Sequence, residues 1–238
     1  MLNADDQYFE FWKSRAGTAE VVSFGITNAA DVTATDIHAD GQGSSFTLQL
    51  RDKTIDVRLS LPGRHNVRNA CAAAAIAFSL GLAPEQIQAG LESVRPVSGR
   101  LQPLPGINGS TLFDDSYNAN PLSVAAAAEF LASLEGPAWM VLGDMGELGD
   151  DSRQLHEDVG RAVKQAGVNR LFATGELCQN AVHAFGADAA WFDSVESLIA
   201  SLRELVTADA NVLVKGSRFM RMERVVEALR ADEPGEES

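Results

Sequence analysis

The sequence predicts an α/β protein with two domains, and three observations lead to that prediction. Beyond about residue 100, short apolar runs alternate with helix-like segments, a pattern typical of a parallel sheet covered on both faces. Before that point, apolar residues recur at every second position, which indicates strands with one buried face. The turn-rich segment Arg95–Arg100 lies between the two patterns and marks a domain boundary.

The composition is that of a soluble globular protein, with 238 residues, 45% of them hydrophobic and 22% charged. No apolar run approaches the ~20 residues that span a bilayer. The acidic start, MLNADDQYFEF, is unlike a signal or transit peptide, so a cytoplasmic location is expected, without membrane insertion. A net charge of −14 argues against nucleic acid as a partner. Cys71 and Cys178 show no metal-binding spacing, and no metal site is expected.

The first predicted domain, residues 1–97, combines a β-hairpin region with two helices. Apolar residues alternate with polar ones on both sides of Arg51–Lys53, which predicts a hairpin. Helices are predicted over about 65–80 and 84–94, and the aromatic run YFEFW is a candidate helix start. The alternating region has the character of the end of a sheet whose other strands are not evident.

The second predicted domain, residues 98–230, is a Rossmann-like domain with a mostly parallel sheet. Its strand candidates are Thr111–Phe113, Trp139–Leu142, Leu171–Thr174, Ala190–Phe192 and Val212–Val214. Its helices are predicted to begin near Pro121, Ser152, Glu176, Ser194 and Phe219. Residues 231–238, ADEPGEES, have the composition of an acidic disordered tail.

The segment Thr111–Leu131 passes from a strand through a polar loop into an alanine-rich helix. Asn120 is suited to cap that helix, and Pro121 suits its first turn because proline lacks the N–H that would be unpaired there. Polar loops at the carboxyl ends of strands hold ligands in open α/β sheets. The alternative is that these polar side chains only satisfy the donors at the helix start.

A second polar group lies in GRHNVRNACAAAA. On a helix, His65, Asn66 and Asn69 share one face, because they are three or four residues apart. An asparagine amide places a donor beside an acceptor, which matches the edge of adenine. The alternative is that Asn66 caps the helix and His65 is a loop residue.

Two further loops follow predicted strands. In LGDMGELG the glycines permit a tight path, and Asp144 and Glu147 are expected to face the crevice at the sheet edge. Lys215, Ser217 and Arg218 follow the last strand and are expected to open the final helix as a carboxylate or phosphate site. The alternatives are a plain glycine turn and cations that only neutralise nearby acids. His156 is interpreted as a helix-face residue.

Five blocks occur in order and at compatible distances: PGRHNVRNACAAAAIA, SGR, DDSYNANP, LGDMGELG and VLVKGSRFMRME. Together they resemble the ATP-dependent Mur ligases, which build the peptidoglycan precursor. DSYNANP, GDMGELG and KGSRFMRME are most similar to the family member that joins D-Ala-D-Ala to UDP-MurNAc-tripeptide. The resemblance covers nearly the whole chain except its acidic tail.

The resemblance implies an ATP- and Mg²⁺-dependent ligase that forms a peptide bond through an acyl phosphate. It implies that Asn69 contacts adenine, framed by His65 and Asn66, and that Arg100 reaches the nucleotide. It assigns Asp115 to the ribose hydroxyls. The second substrate, D-Ala-D-Ala, is expected to be bound by a group of polar residues: Asn118, Asp144, Glu147, Lys215, Ser217 and Arg218.

One departure from the family pattern is informative. Its phosphate loop ends in Gly-Lys-Ser/Thr, and no Gly-Lys pair occurs in this sequence. We therefore expect the C-terminal half of a ligase, without the UDP-binding domain, the phosphate loop, metal ligands or a confidently assigned catalytic residue. Such a chain is expected to be inactive without the missing N-terminal half. The alternatives are a fragment of another Mur-type or folylpolyglutamate-type ligase, and a non-catalytic nucleotide- or peptide-binding module.

Overall fold

The computed structural model describes residues 1–231 and divides into two compact units, Met1–Arg95 and Pro96–Ser238. Apart from Ala231, the predicted acidic tail lies outside the described residues. No helix within the described part of the chain is long and apolar enough to cross a membrane.

Unit 1 contains one five-stranded sheet and three helices. Its strands are β1 (Leu2–Asn3), β2 (Ser23–Gly25), β3 (Val32–Ala39), β4 (Ser44–Leu50) and β5 (Lys53–Leu59). Its helices are α1 (Phe9–Arg15), α2 (Arg64–Ser79) and α3 (Pro84–Glu92). The strand order is β1-β2-β3-β4-β5, parallel from β1 to β3 and antiparallel from β3 to β5. The hairpin and the two longer helices are confirmed, and β1 to β3 are the strands that the pattern left unassigned.

The core of unit 1 lies between this sheet and α2. Alternate residues of β4, such as Leu48 and Leu50, are buried while their neighbours point outward, as a period of two requires. They join one apolar cluster with Val67, Cys71 and the small alanines of α2. The alanines leave little bulk on the helix, so α2 approaches the strands closely.

Asp5 fastens β1 to the loop that follows β2. Its carboxylate accepts hydrogen bonds from the backbone N–H groups of Ile26, Thr27 and Asn28 at 2.8, 3.1 and 2.8 Å. Although partial burial alone would raise the pKa of Asp5, these amide donors hold it below its ordinary value. The motif NADD therefore ends the strand by satisfying three amides of the neighbouring loop.

Unit 2 contains one six-stranded sheet and five helices. Its strands are β6 (Gln102–Pro105), β7 (Thr111–Asp115), β8 (Ala138–Gly143), β9 (Arg170–Thr174), β10 (Ala189–Phe192) and β11 (Asn211–Lys215). Its helices are α4 (Pro121–Ala132), α5 (Ser152–Gln165), α6 (Cys178–Phe185), α7 (Val195–Leu205) and α8 (Glu223–Leu229). The order is β10-β9-β8-β11-β7-β6, and only β6 is antiparallel. The predicted mostly parallel sheet is confirmed.

Apolar clusters cover both faces of this sheet. Met140 belongs to the cluster beneath α4, α5 and α6, whereas its neighbour Val141 belongs to the cluster beneath α7 and α8. Strands buried on both faces are continuous apolar runs, which is why the sequence shows them clearly. The unpredicted β6 holds two prolines, which an edge strand tolerates because one side of its backbone is unpaired.

Two helices begin later than predicted. Helix α6 begins at Cys178 rather than near Glu176, and α8 begins at Glu223 rather than near Phe219. Residues Arg218–Met220 form a single 3-10 turn, and Arg221 then adopts a left-handed backbone with φ of 51°. A left-handed residue interrupts a right-handed helix, so the segment after β11 remains a loop.

Candidate functional site

Three neighbouring parallel strands of unit 2 end at the same edge of the sheet. Strand β11 lies between β7 and β8, and the last residue Lys215 pairs in register with Asp115 and Leu142. The loops that follow these strands, residues 115–120, 144–149 and 216–222, form what we call the strand-end site. Every predicted site residue of unit 2 except Arg100 lies in these loops or at the end of β11.

Asp114, a residue that the sequence did not single out, holds the SGR segment against this edge. Its Oδ2 accepts hydrogen bonds from the Gly99 N–H at 2.8 Å and the Ser98 hydroxyl at 3.3 Å. Its Oδ1 accepts from the N–H and the hydroxyl of Ser116. Gly99 has φ of 76° and packs against Tyr117, whose N–H donates to the Gly99 carbonyl at 3.0 Å. Arg100 is thereby presented by a fixed turn.

Asp115 and Lys215 form a buried ion pair. The Lys215 ammonium lies 2.7 Å from Asp115 Oδ2 and donates to the Asn118 carbonyl at 2.9 Å, while Asp115 Oδ1 accepts from the Leu101 N–H at 3.1 Å. Lys215 is only 3% exposed. Burial raises the pKa of Asp115, an effect that the neighbouring ammonium partly offsets. Lys215 is therefore not the accessible cation that the sequence suggested, since its charge is already paired.

The accessible cations of the site are Arg100 and Arg218. Both are exposed, and their guanidinium carbons lie 4.3 and 5.7 Å from the centroid of the same exposed ring, Tyr117. Neither arginine forms an ion pair with any residue of the described part of the chain. Because both stack on one ring, the two positive charges lie close enough to approach one anionic ligand.

Ser217 connects the three loops. Its hydroxyl accepts from the Gly146 N–H at 2.7 Å and donates to the Ala119 carbonyl at 3.3 Å. Ser217 is buried, whereas the neighbouring Asn118 side chain is exposed. Ser217 and Arg218 lie at the start of a single 3-10 turn and not of an α-helix, because α8 begins only at Glu223. The expected N–H groups of an α-helix terminus are therefore not part of this site.

The two acidic side chains of LGDMGELG point in different directions, Asp144 into the protein and Glu147 toward solvent. Asp144 is buried, and its oxygens accept from the N–H groups of Cys178 at 2.8 Å and Leu177 at 3.3 Å. It therefore caps α6 instead of facing the crevice, and the expectation that it points outward is corrected. Glu147 is exposed, with a left-handed φ of 60°. The loop thus offers one carboxylate to solvent.

His156 lies on α5, in agreement with its interpretation as a helix-face residue, and is fully buried, which the sequence did not indicate. Its Nε2 lies 3.0 Å from the Met145 backbone N and its Nδ1 lies 2.7 Å from the Ser152 carbonyl oxygen. Sequence spacing gave no signal, because a histidine on an amphipathic helix is compatible with either face.

Asp144, His156 and Cys178 bring their donor atoms within 4.8 Å of one another, a grouping that resembles a metal centre. Each donor atom nevertheless has a structural partner. Both ring nitrogens of His156 contact backbone groups, Asp144 caps α6, and the Cys178 thiol lies 3.8 Å from the Leu142 carbonyl. Burial raises the pKa of Cys178 well above its ordinary value, so the thiol stays protonated. We therefore describe this group as a hydrogen-bonded core.

The predicted adenine contacts of unit 1 lie on the first turns of α2. The Asn69 side chain is exposed and donates to Asn66 Oδ1 at 3.4 Å, while the Asn66 amide donates to the Pro62 carbonyl at 2.8 Å. The shared face of the two asparagines is confirmed. Asn66 does not cap the helix, because the N-cap position is Gly63. His65 is partly buried beside them.

The described geometry defines an α/β unit with a polar site at the ends of its parallel strands, and comparison with known families gives its class. Residues 99–218 match the family model described as Mur ligase, glutamate ligase domain, and residues 1–77 match the Mur ligase middle domain. The chain belongs to the Mur ligase family.

Its relatives point to one branch of that family. The chain is 42% identical over 97% of its length to the UDP-N-acetylmuramoyl-tripeptide–D-alanyl-D-alanine ligase of Escherichia coli K12, of which it covers 51%. It is 30% identical over 90% of its length to the ligase of that name from Bacillus subtilis 168, covering 48%. A crystal structure of MurF from Acinetobacter baumannii superposes with a TM-score of 0.88 at 34% identity, covering 94% of this chain and 50% of that one. The chain spans about half the length of these relatives.

Proposed function

We propose that this chain is part of an ATP-dependent ligase that joins D-Ala-D-Ala to UDP-MurNAc-tripeptide in the cytoplasmic synthesis of the peptidoglycan precursor. In this reaction the tripeptide carboxylate is phosphorylated by ATP, and the dipeptide amine attacks the acyl phosphate. The observation that carries the proposal is the 42% identity, sustained over 97% of the chain, to a ligase named for these substrates.

The strand-end site suits the second substrate, a zwitterionic dipeptide. An exposed carboxylate at Glu147 is a partner for the ammonium group, and the unpaired guanidinium of Arg218 is a partner for the carboxylate. Asn118 is exposed and offers an amide for the peptide group. Lys215, Ser217 and Asp144 are buried and support the site indirectly. Lys215 and Ser217 are bonded to neighbouring loops of the site, and Asp144 ties its own loop to the start of α6.

The nucleotide side of the proposal rests on two separate sets of residues. In unit 1, the exposed Asn69 amide presents the donor–acceptor pair that fits adenine, with Asn66 and His65 beside it. In unit 2, Asp115 is proposed as the ribose contact and Arg100 as a phosphate-side cation. Each Asp115 oxygen accepts one protein hydrogen bond, and a carboxylate oxygen has capacity for a second.

ATP and Mg²⁺ would supply the phosphoryl group and the neutralising charge. The residues of this chain contribute no Gly-Lys phosphate loop, which in P-loop enzymes cradles the phosphates. The described side chains therefore account for orienting the nucleoside and the dipeptide, and we assign none of them to phosphoryl transfer.

The remaining partner is the rest of the ligase, and unit 1 has a surface suited to it. Strand β1 is an edge of the mixed sheet of unit 1, and an exposed strand edge is a template for pairing with another chain. Arg68 of α2 is one of the groups that lower the pKa of Asp5, which follows β1. Ile76, about two turns further along α2, is 52% exposed, and Trp12 of α1 is 53% exposed. We call β1, Trp12 and Ile76 the open flank.

Complementation tests the proposal. The purified chain is mixed with the part of the E. coli ligase that it does not match, and phosphate release is measured with ATP, UDP-MurNAc-tripeptide and D-Ala-D-Ala. The chain alone should be inactive and the mixture active. Ile76→Glu should weaken the complex, whereas Leu205→Glu, an exposed leucine of unit 2, should not. Activity of the chain alone, or a mixture that associates but stays inactive with all three substrates, would contradict the proposal.

A further inference from the structure

His156 is a buried titratable residue that the proposed chemistry does not use. It lies within α5 with 0% of its surface exposed. The Met145 backbone N–H, 3.0 Å from Nε2, can only donate, so Nε2 must be the unprotonated acceptor. The Ser152 carbonyl, 2.7 Å from Nδ1, can only accept, so Nδ1 must carry the hydrogen. Only the neutral Nδ1–H tautomer satisfies both contacts.

The Met145 amide is the first link in a series of contacts across the strand-end site. The next amide along the chain, Gly146 N–H, donates to the Ser217 hydroxyl at 2.7 Å. That hydroxyl donates to the Ala119 carbonyl in the loop after β7. The loop after β8 is therefore bonded to α5 on one side and to the loop after β11 on the other. Glu147 follows directly, in a left-handed conformation that few non-glycine residues adopt.

Two titratable side chains face the His156 ring, and each is already held by contacts with other groups. The titratable groups facing His156 are Asp144, from the loop after β8, and Cys178, from α6. The Asp144 oxygens already accept from two backbone amides of the α6 start, and the Cys178 thiol lies 3.8 Å from a carbonyl. A proton on Nε2 would point at the Met145 N–H and remove its acceptor.

We propose that His156 is a positioning residue for the strand-end site. As the neutral Nδ1–H tautomer it holds the Met145 amide and so sets the path of the loop that presents Glu147. It does not contact substrate. The assignment of Glu147 to the dipeptide rests on the proposed function, whereas the role of His156 in the loop is measured on the chain itself.

Two substitutions of His156 distinguish its contact with the Met145 N–H from its contact with the Ser152 carbonyl. In His156→Gln the side-chain oxygen can occupy the place of Nε2 and accept from Met145, whereas in His156→Asn the shorter amide can reach only the Ser152 carbonyl. Amide hydrogen exchange at Met145 and Gly146 should accelerate about tenfold or more in the Asn variant and remain within about threefold of wild type in the Gln variant, as expected for one lost hydrogen bond. Exchange in β4 of unit 1 is the internal reference.

The tautomer itself is measured from the ¹⁵N chemical shifts of the His156 ring in the wild-type chain. This measurement does not depend on whether a variant folds. A protonated Nδ1 and an unprotonated Nε2 at pH 7 are the expected result. An Nε2–H tautomer, a doubly protonated ring, or equal Met145 exchange in the Gln and Asn variants would overturn the proposal. So would a shift of both ring signals on addition of stoichiometric Zn²⁺, because that would show the cluster to be a metal site.

If the loop behaves as expected but D-Ala-D-Ala leaves the Glu147 signals unchanged in the complemented ligase, the substrate assignment fails and the positioning role stands.

Discussion

The two units solve the problem of burying a sheet differently. The six-stranded sheet of unit 2 carries apolar clusters on both faces, beneath α4, α5 and α6 on one side and α7 and α8 on the other. The sheet of unit 1 has one main cluster, beneath α2 and α3, and its parallel edge is the two-residue β1. Two apolar residues of unit 1, Trp12 of α1 and Ile76 of α2, are more than half exposed.

The comparison distinguishes the surfaces that each unit buries in its own core from those that it leaves exposed to other molecules. Unit 2 covers both faces of its sheet with its own helices. Its polar strand-end loops lie outside these apolar clusters, where they can bind a ligand. Unit 1 leaves apolar side chains and an unpaired strand edge at its open flank, and such edges pair readily with other polypeptides. The following substitutions sharpen this contrast, beginning with the largest expected effect.

Lys215→Met should destabilise unit 2 by about 3–5 kcal/mol, because it leaves the buried carboxylate of Asp115 without its partner. The measurement is urea unfolding followed by Trp139, which lies in unit 2. The double variant Lys215→Met with Asp115→Leu should recover most of the loss. If the single variant unfolds at the wild-type urea concentration, the ion pair is not a structural element of the strand-end site.

Paired cavity variants test whether the units unfold separately. Leu213→Ala in β11 and Leu48→Ala in β4 each remove a fully buried side chain, and each should cost about 2–5 kcal/mol. Hydrogen exchange should show the loss of protection confined to unit 2 in the first variant and to unit 1 in the second. Loss of protection in both units from either change would show that they unfold together.

Asp5→Asn should destabilise unit 1 by about 1–3 kcal/mol, because an amide oxygen cannot replace both carboxylate oxygens toward three backbone donors. The folded-state pKa of Asp5 is lowered from the ordinary value of 3.8, so its contribution is complete above that pH and is lost as the pH falls through the folded pKa. Acid unfolding of unit 1 in the Asn variant should therefore depend less on pH. An unchanged acid transition would contradict this.

Ile76→Ser should change the stability of unit 1 by no more than about 0.5 kcal/mol, because surface substitutions away from packed groups are nearly neutral. Val67→Ser on the buried side of α2 is the matched control and should be strongly destabilising. A large loss for Ile76→Ser, measured by thermal melting, would mean that the open flank is packed within this chain.

Much of the fold could be predicted because the local signals agree with the tertiary structure. The continuous apolar runs of unit 2 are buried on both faces, and Asn120 does cap α4, accepting from the Ser123 N–H at 2.9 Å. Strands β1 and β2 were missed because two or three residues carry no periodicity. Strand β6 was missed because its prolines argue against a strand unless its edge position is known.

The sequence indicated which residues belong to the candidate site, but not which groups each of them contacts. Asp115 and Lys215 are 100 positions apart, and only the register of β7 beside β11 makes them neighbours. The same holds for His156, whose partner Met145 lies on a different element. Residue type and strand-end position indicate which loops carry ligands, whereas the direction of each side chain depends on contacts that the sequence does not display.

The position of β11 constrains the order in which unit 2 can form. The last strand of the sheet in sequence is inserted between β7 and β8, so these two strands have no direct pairing with each other. The residues that β11 pairs with lie 100 positions earlier in β7 and 73 positions earlier in β8, and pairings of such long range form slowly. The nascent chain therefore holds β7 and β8 as unjoined parts of one sheet until β11 has been synthesised.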